Sequence, residues 1–231
     1  MGIKEALEAI NNKITKALEK SGRKASDITL LAVSKQVEAA RIKEAIESGH
    51  RSFGENYVQE FVSKYEELSD YKDIDWHFIG HLQKNKVKYI IDKVSLIHSL
   101  DKLSLAEEIN KRAEKLGITM PILVEVNLGG EASKSGIEPS ELGSFLEQIS
   151  VLEHIKLSGL MALPPYCENA EDSRKYFIKL RELRDGFNSS YTTLTELSMG
   201  MSHDYEIALE EGATIVRVGT AIFGERPKKK Y

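Results

Sequence analysis

"ITLLAVSK" spans Ile28 to Lys35. Six of its first seven residues suit a buried strand, and the eighth is a lysine. An ammonium group is almost never fully buried without a partner. Either this strand has reached the surface, where Lys35 is solvated, or it ends at the mouth of a barrel where the amine does chemistry. The strands around it decide which.

Working outward, β-rich runs recur at Ser52–Glu55, Trp76–Gly80, Leu96–Ser99, Ile122–Asn127, Leu157–Ala162, Glu196–Ser198 and Thr214–Val218, beside Thr29–Ser34. Segments of helical period separate them. Ala39, Ile42, Ala45 and Ile46 share one face of a helix that stops at Gly49, and Leu103, Leu105, Ala106, Ile109, Ala113 and Leu116 do the same before Gly117. "HDYEIALEEG" follows an expected N-cap at Ser202 and stops at Gly212. Strict β-then-α alternation implies parallel strands joined by crossover helices. Eight such strands in 231 residues fit a closed (β/α)8 TIM-type barrel, which typically takes about 250 residues. An open doubly wound sheet would want a glycine-rich dinucleotide turn after a strand, and none follows one.

No linker or composition break interrupts the chain, so the expectation is an α/β protein with one barrel domain over residues 1–231. After the eighth strand only Ala221 to Tyr231 remain, interrupted by Pro227, which is short for an outer-ring helix. The chain opens instead with a helical pattern, roughly Ile3 to Lys20. This additional N-terminal helix is expected to supplement the missing eighth one.

Hydrophobic residues make up 41 %, enough for a sizeable core, and the net charge is −4. That mild acidity argues against wholesale binding to nucleic acid or an anionic membrane. The basic run Lys228–Lys230 reads as a solubilising tail. One cysteine, Cys167, rules out a disulfide within the chain and points to a reducing compartment. No run approaches the ~20 apolar residues that span a bilayer, and the N-terminus lacks a signal-peptide core. Gly2 is not in a myristoylation motif, because residue 6 is Ala. A cytoplasmic protein is expected.

In these barrels the active site lies at the C-terminal ends of the strands. Those ends read Ser34-Lys35, Glu55-Asn56, Gly80-His81, Ser99-Leu100, Glu125-Val126-Asn127, Ala162-Leu163, Ser198-Met199-Gly200 and Gly219-Thr220, most of them polar or glycine. A phosphate site commonly forms from the loops after strands seven and eight. Ser198 and Gly200 supply it on one side, Gly219 and Thr220 on the other. Ordinary tight turns also use serine and glycine; the coincidence of both segments at the two expected places favours phosphate. Arg217, two residues before Gly219, shares its strand face and must find either a salt bridge or a ligand acceptor. Nearby cations and desolvation favour a neutral, nucleophilic Lys35. Pyridoxal phosphate (PLP) satisfies all three features: an aldehyde for Lys35, a phosphate for the last two loops, and a ring nitrogen for Arg217.

The blocks "AVSK", "FGENYVQE", "WHFIGHLQKNK", "VNLGGEASKSG", "GLMALPP" and "LSMGMSHDYEIALEEGATIVRVGTAIFGER" cover nearly the whole chain in order. They resemble the pyridoxal phosphate homeostasis proteins, also called the proline synthetase co-transcribed family. The resemblance implies a barrel similar to the N-terminal domain of alanine racemase, with PLP on Lys35 as an internal aldimine. It implies that Ser198, Met199, Gly219 and Thr220 hold the phosphate, that Arg217 faces the pyridine nitrogen, and that Asn56 lies beside the cofactor. It further implies a monomer that carries or regulates free PLP without robust catalysis, with PLP-dependent apoenzymes as candidate recipients. No nucleic acid or membrane partner is expected.

Two alternatives stand beside this reading: an amino-acid racemase of low activity and a cofactor-free lysine aldolase. Racemisation needs a base on each face of the substrate. Alanine racemase takes its second base from an extra β-domain, for which this sequence is expected to have no room. His77 and His81 form an H-x3-H pair, but on a strand and without the adjacent glutamate of a zinc helix. His81 is a ligand candidate near the barrel mouth, whereas His98 and His203 read as loop or capping residues. "GGEASKSG" lacks the P-loop glycines, leaving Lys134 as a candidate relay of PLP.

Overall fold

A computed structural model describes residues 2–19, 21–129 and 135–225. The Lys134 relay, Pro227 and the Lys228–Lys230 tail lie outside the described residues. Eight parallel strands close into a barrel in strict chain order: β1 (Thr29–Val33), β2 (Ser52–Glu55), β3 (Asp75–Phe78), β4 (Leu96–Leu100), β5 (Met120–Glu125), β6 (Ile155–Met161), β7 (Glu196–Met201) and β8 (Ile215–Val218). The seam between β1 and β8 pairs Thr29 with Ile215 and Leu31 with Arg217. All eight expected strands are present; β7 runs on to Met201, β5 and β6 begin two residues earlier than expected, β3 runs from Asp75 to Phe78 instead of Trp76 to Gly80, and the ends of β1, β4 and β8 differ by one residue.

The strand alternation sorts residues into two layers. Leu31, Val33, Ile79, Leu96, Leu123, Met161 and Ile215 fill the barrel interior. Alternate residues such as Ala32, Phe53, Trp76, Ile97 and Val216 pack outward against the helices. Those helices are α2 (Ala39–Glu47), α3 (Val58–Glu67), α4 (Leu103–Leu116), α5 (Leu142–Ser150), α6 (Arg174–Phe187) and α7 (Tyr205–Glu210), with a 3-10 helix at Lys84–Tyr89 between β3 and β4. Gly117 ends α4 in the left-handed conformation, at φ 67°.

The ring is completed as expected. Among the described residues after β8 there is a single turn, α8 (Thr220–Phe223), and the N-terminal helix α1 (Ile3–Glu19) packs beside α2, α7 and α8. Its buried face is Ile3, Leu7, Ile10, Ile14 and Leu18. Arg23 then ties the chain to the end of α7, donating to the carbonyls of Leu209 (3.1 Å) and Ala213 (2.6 Å). Among the described residues no helix is long and apolar enough to cross a membrane.

Candidate functional site

Lys35 follows β1 in a turn that is held from both sides. The Ser34 N–H donates to the Gly54 carbonyl at 3.0 Å, and Ser34 Oγ donates to Glu55 Oε1 at 2.7 Å. Lys64 Nζ, from α3, donates to the Ser34 carbonyl (2.6 Å), to Glu55 Oε1 (2.7 Å) and to Glu60 Oε1 (2.7 Å). Glu60 in turn accepts the backbone N–H of Gln36. Gln36 sits at φ 59°, a left-handed conformation that non-glycine residues rarely adopt. Both neighbours of Lys35 are therefore fixed by a buried ion cluster. Burial raises the Glu55 pKa, against the opposing charge and hydrogen bond of Lys64.

Lys35 lines a pocket of about 270 Å³ at the C-terminal mouth of the barrel. Asn56, Arg217, Gly219 and Thr220 line the same pocket, together with Met201, Ser202 and His203. Larger clefts exist elsewhere, but this one gathers the expected amine, guanidinium and glycine turn. Asn56 comes close because Gly80, two residues past β3, has no side chain: a Cβ there would lie 2.1 Å from the Asn56 carbonyl oxygen. The Oδ1 atom of Asn56 is itself buried, with no hydrogen-bond partner among the described residues.

Arg217 points inward from β8 and is buried. It makes no described ion pair. Instead Nη1 donates to Ser198 Oγ at 2.5 Å and Nη2 to the Ala162 carbonyl at 2.8 Å. Burial pulls its pKa down to about 10, while Asp204 and Glu125 act in the opposite direction. It is thus still a cation at neutral pH, anchored through part of its five-donor fork.

Two expected phosphate residues do not line the pocket. Ser198 is fully buried in the barrel interior beneath Arg217, and Met199 points outward into the apolar layer under the helices. The physical reason is that β7 does not stop at Ser198. It continues to Met201 through an irregular register against β8, made possible by Gly200 at φ 87°. The loop therefore starts at Ser202, and Met201, Ser202 and His203 replace Ser198 and Met199 on the wall. The N-cap of α7 is likewise Asp204 instead of Ser202: Asp204 Oδ1 accepts the Met201 N–H at 2.7 Å. Ser202 is left to accept the Gly219 N–H at 3.2 Å, which ties the two terminal loops together. A glycine inside a strand pattern was the one signal for this shift.

The other histidines separate. His81 lies outside the pocket, exposed in a neighbouring cleft, with Nδ1 3.9 Å from Asp101 Oδ2. His98 is no loop residue: it is fully buried inside the barrel, bonded to His77 and Ser198. Among the described residues no group of three or more His, Cys, Asp and Glu side chains is gathered to hold a metal.

Residues 6–227 match the family model for the alanine racemase N-terminal domain. A pyridoxal phosphate homeostasis protein of Aquifex aeolicus is 53 % identical over 223 residues, covering 96 % of this chain and 97 % of that one. An unknown protein from Bifidobacterium adolescentis, solved by crystallography, superposes with a TM-score of 0.89 at 38 % identity, over 96 % of this chain and 94 % of that one. PipY of Synechococcus elongatus, solved with PLP bound, superposes at 0.82 with 37 % identity, over 91 % of this chain and all of that one.

Proposed function

Because the chain belongs to the pyridoxal phosphate homeostasis proteins, we propose that it binds PLP in the pocket below Lys35 and serves PLP homeostasis as a carrier or regulator of the free cofactor. The observation that carries this reading is the convergence of Lys35, Arg217 and the Gly219–Thr220 turn on one pocket. The donor set fits the cofactor. An amine and a guanidinium sit with the first turn of α8, where Ile222 and Phe223 donate to the Gly219 carbonyl and the Thr220 and Ala221 N–H groups have no partner within the helix. Asn56 lines the same pocket.

When bound, PLP supplies an aldehyde that a neutral amine captures as a Schiff base. Lys35 is the residue assigned that role, and the Lys64–Glu55–Glu60 cluster holds its backbone so that the amine meets the ligand in one orientation. Gly219 and Thr220, with Ser202, are assigned the phosphate. Arg217, held from below by Ser198, is assigned the ring nitrogen. The barrel acts as one PLP-binding domain, as a monomer in the cytoplasm, passing PLP to apoenzymes.

Robust catalysis is not part of the proposal. Racemisation needs two bases, and the ionisable side chains on the described wall are Lys35, His203 and Arg217. Arg217 is a poor base, and His203 Nε2 is turned to the Glu168 carbonyl at 3.2 Å. The test is absorbance of the full-length protein with PLP, followed by borohydride trapping and peptide mass analysis. A visible band and a phosphopyridoxyl group on Lys35, both lost in Lys35→Ala, are expected; trapping elsewhere overturns the site. Incubation with L-alanine and chiral analysis should give no D-alanine above the level with free PLP; clear turnover establishes the racemase instead.

A further inference from the structure

A continuous line of hydrogen bonds crosses the barrel interior from one mouth to the other. Arg217 Nη1 donates to Ser198 Oγ at 2.5 Å. Ser198 Oγ lies 2.9 Å from His98 Nδ1, His98 Nε2 lies 2.9 Å from His77 Nδ1, and His77 Nε2 lies 3.0 Å from Asp75 Oδ2. Asp75 opens β3 and Arg217 lies near the end of β8, so the line begins at the N-terminal mouth and ends at the pocket. Asp75 and His77 line a cleft of about 450 Å³ at that lower mouth.

The chemistry at its two ends gives the line a direction. Arginine can only donate, and an ionised aspartate can only accept. Burial holds His98 well below the usual imidazole range, with His77 and Arg217 pushing the same way, so His98 is neutral and carries one N–H. Ser198 accepts from Arg217 and has one proton to give, which goes to His98 Nδ1. His98 then carries its proton on Nε2 and donates to His77 Nδ1. His77 carries its own on Nε2 and donates to Asp75. Each group is satisfied, and every donor points away from the pocket.

The reversed line needs one more proton. If His98 donated to Ser198, His77 would have to donate to His98 and still face the Asp75 carboxylate, which requires an imidazolium. Ser198 would then receive two donors, and its own O–H would be turned out of the line beside Arg217.

We propose that Asp75, His77, His98 and Ser198 are positioning residues for Arg217, a one-way hydrogen-bond chain that ties the guanidinium's orientation at the pocket to the proton count at the opposite mouth. The proposal rests on the functional reading above only in taking Arg217 as a ligand contact. The titratable and charged groups around His77 are Asp75 on its own strand, the neutral His98 on β4, and Lys156 on β6 and Glu196 on β7 across the cleft; Arg217 on β8 faces His98. The strands β1, β5 and β8 bring only Thr29, Pro121 and Ile215 to that cleft.

The test is nitrogen-15 NMR of the labelled full-length protein, with and without PLP, in the parent, Asp75→Ala and Lys156→Gln. In the parent at neutral pH, His98 should carry its proton on Nε2, and acidification should move it to Nδ1 in step with a single protonation of the pair. Asp75→Ala removes the terminal acceptor. It should mix the His98 tautomers and change PLP affinity roughly two- to thirtyfold, although it lies at the far mouth. Lys156→Gln alters charge in the same cleft without entering the chain and should move neither. A parent His98 protonated on Nδ1 at neutral pH overturns the proposal, as does an Asp75→Ala protein with unchanged tautomers and affinity. If Asp75→Ala does not fold, the parent's tautomers and acid titration still decide. A parent that takes up no PLP refutes the assigned ligand, while its His98 tautomers still support or overturn the direction of the hydrogen bonds.

Discussion

Lys64 Nζ lies 2.7 Å from Glu55 Oε1, and both side chains are shut away from solvent. The pair spans β2 and α3 and anchors the turn that carries Lys35. Removing one partner leaves a buried charge uncompensated. Lys64→Met is expected to destabilise the fold by about 3–5 kcal/mol, whereas Lys64→Met with Glu55→Leu should recover much of that loss. Urea unfolding of the two single variants and the double variant measures it; a double variant no more stable than Lys64→Met contradicts the assignment.

Gly200 sits at φ 87°, and a Cβ there would lie 2.5 Å from the Ala208 Cβ on α7. Gly200→Ala therefore combines backbone strain with overpacking, and a cost of about 2–4 kcal/mol is expected. Because the same residue lets β7 run on to Met201, PLP affinity should fall as well. A thermal melt indistinguishable from the parent's would show that the strand tolerates a side chain there.

The neutral state of His98 makes stability depend on pH. Its folded pKa is depressed by burial, so between that value and the ordinary imidazole value of about 6.5 the unfolded chain binds the extra proton. The contribution is complete above about 6.5 and is lost as pH falls toward the folded value, at up to about 1.4 kcal/mol per pH unit. His50, lowered by burial in the same direction, adds to the slope. Denaturant midpoints measured from about pH 7.5 down to about 5 should fall, and fall less steeply in His98→Gln.

Ser202 Oγ accepts the Gly219 N–H at 3.2 Å and so joins the two loops assigned to the phosphate. Ser202→Ala should leave the fold intact and weaken PLP binding roughly five- to tenfold, a change of about 1 kcal/mol. Equilibrium dialysis measures it; unchanged affinity removes Ser202 from the site.

Residue order alone was enough to specify the barrel. Eight apolar runs alternating with helical periods leave few other ways to bury both faces of a parallel sheet, and the helical pattern ahead of the first strand already suggested α1. It also marked Lys35, Asn56, Arg217, Gly219 and Thr220, since polar residues at strand ends stand out against apolar strands. What lies between strands became visible only once the chain was folded. Gly200 carries β7 beyond Ser198 to Met201, which turns Ser198 and Met199 away and brings Met201, Ser202 and His203 to the wall. The buried cluster of Lys64, Glu55 and Glu60, and the line from Asp75 to Arg217, join residues from separate elements. Periodicity dictates which face a side chain takes; which polar partner it meets across the barrel depends on the stagger between strands, and closure of the sheet sets that.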